Sequence, residues 1–153
     1  MPYRILFVCH GNICRSPMAE FVFKHLAGQA GLSKQFEVAS AATSTEEIGN
    51  PVYPPARQKL AEHGISCAGK VARQLTITDG DYYDLLIGMD EANRRNILRM
   101  IDSTNASKVH LLMEFAGQDK EVADPWYTGD FEATWQDVLV GCRGLLNQFF
   151  PQR

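Results

Sequence analysis

A short apolar run, Ile5-Leu6-Phe7-Val8, ends at Cys9, and seven residues later the chain reads Ser16-Pro17. The run has the length of a buried strand. Ser16-Pro17 is a helix start, with a hydroxyl expected at the N-cap and proline at the first helical position. The eight residues Cys9-His10-Gly11-Asn12-Ile13-Cys14-Arg15-Ser16 must therefore form a tight loop from a strand end to a helix N-terminus. Backbone N–H groups in such a loop have no intrahelical partners, and the helix dipole adds positive potential. The product is an anion-binding cradle, and phosphate is its usual guest.

The side chains in the cradle suggest a chemistry. Cys9 would lie below the bound phosphorus, where the same N–H groups and the helix end favour thiolate over thiol. A thiolate at neutral pH can take a phosphoryl group covalently. Arg15 can fork two N–H bonds onto the equatorial oxygens and match the charge that spreads over them in the transition state. Ser16 can donate its hydroxyl to the sulfur. The loop is not a Walker nucleotide loop, because the Gly-Lys-Ser/Thr ending is missing and no Mg-binding residue is implied. A plainer reading stays open for the same residues: a strand–helix turn with a buried Cys9 and a solvated Arg15.

Further along, Ser16 opens a helix to about Ala30-Gly31, with Met18, Phe21, Val22 and Leu26 as its inward stripe. Phe36 to Ala42 reads as a second strand that ends in small residues. Thr43 to Pro55 is a long polar connection, a candidate substrate rim. Pro54-Pro55 opens a helix that Gly64 closes. Tyr83 to Met89 is a third strand, running into Asp90, an N-cap for a helix through Ile97 and Ile101. Lys108 to Leu112 is a fourth strand. Phe131, Trp135, Val138, Cys142, Leu145 and Phe149 step by threes and fours along a last helix.

Strands alternating with helices predict an α/β fold in three layers: a four-stranded parallel sheet, expected order 2-1-3-4, with helices on both faces. Such sheets bind ligands at the carboxyl ends of their strands. Cys9 lies at that end of the first strand, and the loop from Met113 to Gly129 opens on the same side. At 153 residues, 45% apolar and 22% charged, the chain suits one domain over residues 1–153 with an ample core. A net charge of only −3 gives no general attraction to nucleic acid or to an anionic membrane. No apolar run approaches the ~20 residues of a membrane span, and no signal peptide precedes the first strand. Cysteines at 9, 14, 67 and 142 do not make a disulfide framework in a domain of this size, so a reducing cytoplasm is the expected home. His25, His63 and His110 show no metal-ligand spacing, and neither metal nor cofactor is implied.

Moving a phosphoryl group from an oxygen to a thiolate leaves a group that needs a proton. Asp124, on the ligand-side loop before the rigid Pro125, is the candidate acid, and the same carboxylate can then activate water. Trp126 and Tyr127 would wall a flat substrate ring. Alternatively, Asp124-Pro125 only initiates a turn and the two aromatics cap the core.

Cys9-x-Gly11-Asn12-Ile13-Cys14-Arg15-Ser16-Pro17 near the N-terminus, with Asp124-Pro125 far downstream, resembles the low-molecular-weight protein tyrosine phosphatases. Ser40-Ala41-Ala42, His63-Gly64-Ile65, Ala72-Arg73-Gln74 and Met89-Asp90-x-x-Asn93 fall in that family's order, so the resemblance covers nearly the whole chain. It implies metal-free hydrolysis of phosphotyrosine, in a protein or peptide, through a phosphocysteine intermediate, with inorganic phosphate as product. It implies Cys9 as nucleophile, Arg15 as phosphate binder and transition-state stabiliser, and Asp124 as acid and then base. Asn12 would hold the loop in a strained shape with Ser40 hydrogen-bonded to it, and Cys14 would be the thiol that traps oxidised Cys9 as a disulfide. Some positions depart from the family's pattern. His10 stands where an aliphatic or small residue is common. Gly69 lies where several relatives carry a histidine that helps the loop network, so that support is expected to be absent. Glu46-Glu47 replace a common rim aromatic. Met89, Asp90 and Asn93 read as structural, a cap and its neighbours.

Two rivals share the fold and the loop. Protein-arginine phosphatases resemble it with Thr in the place of Ile13 and without paired aromatics after Asp-Pro, whereas here Ile13, Trp126 and Tyr127 favour an aromatic substrate. Thioredoxin-coupled arsenate reductases need two closely spaced downstream cysteines, and Cys67 and Cys142 are isolated. A phosphate-binding module without catalysis would keep Arg15 and lose Cys9 or Asp124.

Overall fold

The structure, a computed structural model, describes residues 2–150. Its strands are β1 (Tyr3–Cys9), β2 (Phe36–Ala42), β3 (Leu85–Gly88) and β4 (Val109–Leu111). They form one parallel sheet in the order β2-β1-β3-β4, as the alternation predicts. The central strand, β1, is buried on both sides, which is why its sequence is an unbroken apolar run and not an alternation. Ile5, Phe7 and Cys9 join one core with Ile87, while Leu6 and Val8 join the other with Leu86. Cys9 pairs with Ala42 and Val8 with Gly88, so small residues on both neighbours flank the strand end that carries the loop.

The helices are α1 (Arg15–Gln29), α2 (Pro54–Glu62), α3 (Ile77–Tyr82), α4 (Glu91–Met100), α5 (Pro125–Thr128) and α6 (Phe131–Phe149). α1, α2 and α6 cover the face of Ile5 and Phe7; α4 covers the other through Ile97, with Leu75 and Tyr83 in the same core. On α6 the expected stripe holds: Trp135, Val138, Cys142 and Leu145 are buried, with Phe131 and Phe149 half-buried at its ends. A fully buried side chain of this size stabilises by roughly 1.5–3 kcal/mol, so the stripe fastens α6 to the sheet. Gly144 lets the helix lie directly on the turn Leu112–Ala116, because a Cβ there would overlap the Phe115 carbonyl.

Several boundaries differ from the sequence reading. The third strand is Leu85–Gly88 and not Tyr83 to Met89, and the fourth is Val109–Leu111 and not Lys108 to Leu112: β3 pairs with β1 only from Leu85 to Gly88, and β4 pairs with β3 only from Leu86 to Gly88. The buried face of α1 is Met18, Ala19, Val22, Phe23 and Ala27, with Phe21 and Leu26 at its edge. α3 is absent from the sequence reading, although Thr76-Ile77-Thr78-Asp79 is a capping box: Asp79 N donates to Thr76 Oγ1 (3.3 Å) and Thr76 N to Asp79 Oδ2 (2.8 Å). Among the described residues no helix is long and apolar enough to cross a membrane.

Candidate active site

The strand–loop–helix unit forms as expected, with one correction. α1 begins at Arg15, and Cys14 in the N-cap position makes no side-chain cap. Ser16 is not the cap. Its hydroxyl is used inside the loop, accepting from Asn12 Nδ2 at 2.7 Å and lying 3.0 Å from Cys9 Sγ. While it accepts from Asn12, the Ser16 hydroxyl can still give its own hydrogen to the sulfur. The backbone N–H of Asn12 also points at Cys9 Sγ, at 3.3 Å.

Asn12 is the one non-glycine residue among those described with a positive φ, 60°. Asparagine tolerates this left-handed conformation better than most residues, and the side chain is tied on every side. Nδ2 donates to Ser16 and to Ser40 Oγ (2.9 Å), and Oδ1 accepts from Arg73 N (3.2 Å). Ser40 passes its own hydrogen to Glu20 Oε1 at 2.6 Å. Glu20, only 4% exposed, is paired with Lys24 at 2.6 Å. No histidine stands at Gly69; the next residue, Lys70, has its Nζ 2.9 Å from the Ser40 carbonyl oxygen and 4.0 Å from Glu20 Oε1.

Arg15 is 3% exposed, which rules out a solvated guanidinium. Nη1 donates to Asp90 Oδ2 (2.8 Å) and to the Val122 carbonyl (2.9 Å), and Nη2 lies 3.4 Å from Asp124 Oδ2. Burial alone would lower its pKa, but Cys9, Asp90 and Asp124 outweigh it and hold the charge more firmly than usual. Asp90 is the residue that the sequence reading assigns to structure alone. It does cap α4, accepting from Asn93 N at 2.8 Å, and Asn93 Oδ1 in turn accepts from Met89 N at 2.9 Å. Its second oxygen takes Arg15. A carboxylate at the carboxyl end of β3, beside the strand that carries Cys9, is the signal that could have found it.

Asp124 uses its two oxygens differently. Oδ1 accepts from Trp126 N (3.0 Å) and starts the turn into α5, while Oδ2 faces Arg15 in the cleft. Trp126 and Tyr127 do not cap the core, being 53% and 83% exposed; Trp126 leans on Tyr53 with ring centres 4.9 Å apart. The cleft has a volume of about 110 Å³. Residues Cys9 to Arg15 floor it, including Gly11 and Ile13, and Glu46, Glu47, Asp124, Trp126 and Tyr127 wall it. The long connection after β2 thus supplies part of the rim, and His10 Nε2 is tied to Glu46 Oε2 at 2.8 Å. Cys14 lies in a small buried cluster with Ile13 and Ala72, and its thiol is pushed up to about 12 by burial, with Cys9 and Asp124 adding and Arg15 opposing. Cys9, Cys14, Cys67 and Cys142 are all free thiols. Among the described residues no group of three His, Cys, Asp or Glu side chains could hold a metal ion.

Residues 4–152 match the family model described as low molecular weight phosphotyrosine protein phosphatase. The chain is 40% identical over 145 residues to the low molecular weight protein-tyrosine-phosphatase YfkJ of Bacillus subtilis, covering 93% of this chain and 92% of that one. The crystal structure of YfkJ superposes with a TM-score of 0.93 over 97% of this chain and 94% of that chain. A human low molecular weight phosphotyrosine protein phosphatase is 40% identical over 149 residues, 94% of each chain. The Drosophila arginine phosphatase DARP is more distant at 29% identity, with a TM-score of 0.88 over 97% of this chain and 99% of that chain.

Proposed function

Because this chain belongs to the low-molecular-weight phosphotyrosine protein phosphatase family, we propose that it hydrolyses phosphotyrosine in proteins or peptides through a phosphocysteine intermediate, without a metal. The observation that carries the reading is Cys9 Sγ on the floor of the cleft, 3.0 Å from the Ser16 hydroxyl and 3.3 Å from the Asn12 N–H, with Arg15 and Asp124 also lining that cleft. In this reading the phosphoryl group settles among the N–H groups of the loop from His10 to Ser16 and the Arg15 guanidinium, and Ile13, Trp126 and Tyr127 flank the tyrosine ring. The Cys9 thiolate attacks phosphorus as the P–O bond to the phenol breaks, and Asp124 gives its proton to the leaving oxygen. Water then attacks the phosphocysteine, Asp124 takes a proton back, and inorganic phosphate leaves with the thiolate restored. The Ser16 hydroxyl and the Asn12 N–H already lie at the sulfur and need no reorganisation during the step. Asn12 and Ser40 hold the loop. Cys14 is the thiol that would reduce a sulfenic Cys9 to a disulfide, releasing water.

We place the protein, as one phosphatase domain over residues 1–153, in a reducing cytoplasm, a placement supported by its four free thiols. A second reading, hydrolysis of phosphoarginine, is favoured by one observation: Glu46 and Glu47 at the rim would suit a guanidinium. A thioredoxin-coupled redox cycle has no such support, because Cys67 and Cys142 are both buried and burial raises both thiols' pKa values. Steady-state hydrolysis of a phosphotyrosine peptide against a phosphoarginine peptide, with EDTA present and Cys9→Ser as control, separates the readings. Preference for phosphotyrosine, lost in Cys9→Ser, is expected. Preference for phosphoarginine would overturn the substrate assignment, and turnover that EDTA abolishes would overturn the mechanism.

A further inference from the structure

Behind the loop stands a buried charge cluster that the proposed chemistry does not use. Glu20, inside the first turns of α1, is 4% exposed. A carboxylate so far from water is tolerated only when paired and hydrogen-bonded. Lys24 pairs with it from the solvent side, its own side chain 43% exposed. Lys70 is the inner cation, with a side chain 13% exposed, 4.0 Å from Glu20 Oε1, and bonded to the Ser40 carbonyl at 2.9 Å. Three residues on, Arg73 N holds Asn12 Oδ1. One short segment therefore grips the loop's support at two points.

We propose that Lys70 is a positioning residue for the phosphate loop: its ammonium balances Glu20 and holds Ser40, so that Ser40 keeps Asn12 turned onto Cys9 and Ser16. The inference rests on the reading of Cys9 as nucleophile. The connections run without a gap, from Lys70 to Glu20 and Ser40, from Ser40 to Asn12 at 2.9 Å, and from Asn12 to Ser16 and the Cys9 sulfur. Burial lowers the Lys70 amine's pKa, while Glu20 and Cys9 pull it the other way. With Lys70 gone, Glu20 keeps only the solvent-facing Lys24, and moving towards it takes the acceptor away from Ser40. Asn12, in its left-handed conformation, then loses a partner of the amide that fixes its N–H on the sulfur.

The test is kinetics of Lys70→Met, Lys70→Arg, Glu20→Gln and the double variant Glu20→Gln/Lys70→Met on a phosphotyrosine peptide. Lys70→Met is expected to lower kcat about tenfold, the scale of a small misplacement of reacting groups, with KM within about twofold. Lys70→Arg restores most of the rate. The double variant turns over faster than Lys70→Met, because a neutral amide in place of the Glu20 carboxylate needs no cation; that reversal is a signature that general loosening of the fold does not give. Unchanged kcat in Lys70→Met, or losses that simply multiply in the double variant, would overturn the inference. If Lys70→Met does not fold, Lys70→Arg and the double variant decide: both near the wild-type kcat supports charge balance, and a loss in both refutes it. An active wild type with an indifferent Lys70 sinks this inference alone, whereas an inactive wild type sinks the phosphatase reading and this one with it.

Discussion

Replacing Asp90 by asparagine and by alanine separates two jobs that one carboxylate performs. Oδ1 caps α4 by accepting from Asn93 N, and Oδ2 takes Nη1 of Arg15 at 2.8 Å, with the Arg15 side chain 3% and the Asp90 side chain 21% exposed. Asparagine is as good an N-cap as aspartate, so Asp90→Asn keeps the first job and removes only the ion pair. A hydrogen bond to a charged group contributes about 1.5–3 kcal/mol, and the introduced amide would turn a donor towards Arg15, so the loss falls in that range. Asp90→Ala also loses the cap and costs about 1 kcal/mol more. Arg15 would keep the Val122 carbonyl, and its other carboxylate is Asp124, 3.4 Å from Nη2. Closer engagement there would oppose the proton transfer that we propose for Asp124. We therefore expect Asp90→Asn to lower kcat about tenfold on a poor leaving group and less on a good one. Urea unfolding with a constant m-value reads the stability and two phosphate esters read the rate. Wild-type stability and rate in Asp90→Asn would refute the ion-pair argument, and equal stability of the two variants would refute the cap.

Gly144→Ala forces a methyl into the Phe115 carbonyl, so overpacking should cost about 1–3 kcal/mol in unfolding free energy while KM stays unchanged, because the end of α6 that meets the cleft is at Phe131, well along the helix from Gly144. Asp124→Asn should slow a poor leaving group more than a good one in a series of aryl phosphates, and equal losses across the series would count against an acid role. Cys14, whose thiol pKa is raised to about 12 by burial first, binds its proton more tightly folded than unfolded. Its contribution is intact below the unfolded value and is lost as pH rises from about 9 towards 12. Urea titrations across that window should show stability falling more steeply in the wild type than in Cys14→Ala; parallel curves would contradict the assignment.

The parts legible in the sequence are those carried by neighbours along the chain. An apolar run, a loop of eight residues and Ser16-Pro17 announce the strand, the cradle and the helix, and alternation announces the sheet. The long-range partners leave no such trace. Asp90, Val122 and Asp124 meet Arg15 across 75, 107 and 109 residues, and a carbonyl such as that of Val122 has no sequence signature at all. Glu20 and Lys24, four apart on a helix, look like an ordinary surface pair until the fold buries one of them. Ser16 reads as a cap because local helix-start rules compete with Asn12 and Cys9 for the same hydroxyl, and the tertiary partners win. α3 carries a signal, the Thr76–Asp79 capping box, that a pass for apolar periodicity overlooks in six residues.

The central claim, that Cys9 takes the phosphoryl group, is tested most directly by rapid quench of the wild-type protein with a phosphotyrosine peptide, followed by mass spectrometric mapping. The account predicts a phosphoryl group on Cys9, formed before free phosphate appears, and neither intermediate nor turnover in Cys9→Ser. Phosphate release with Cys9 unmodified throughout, or undiminished turnover in Cys9→Ser, would contradict it.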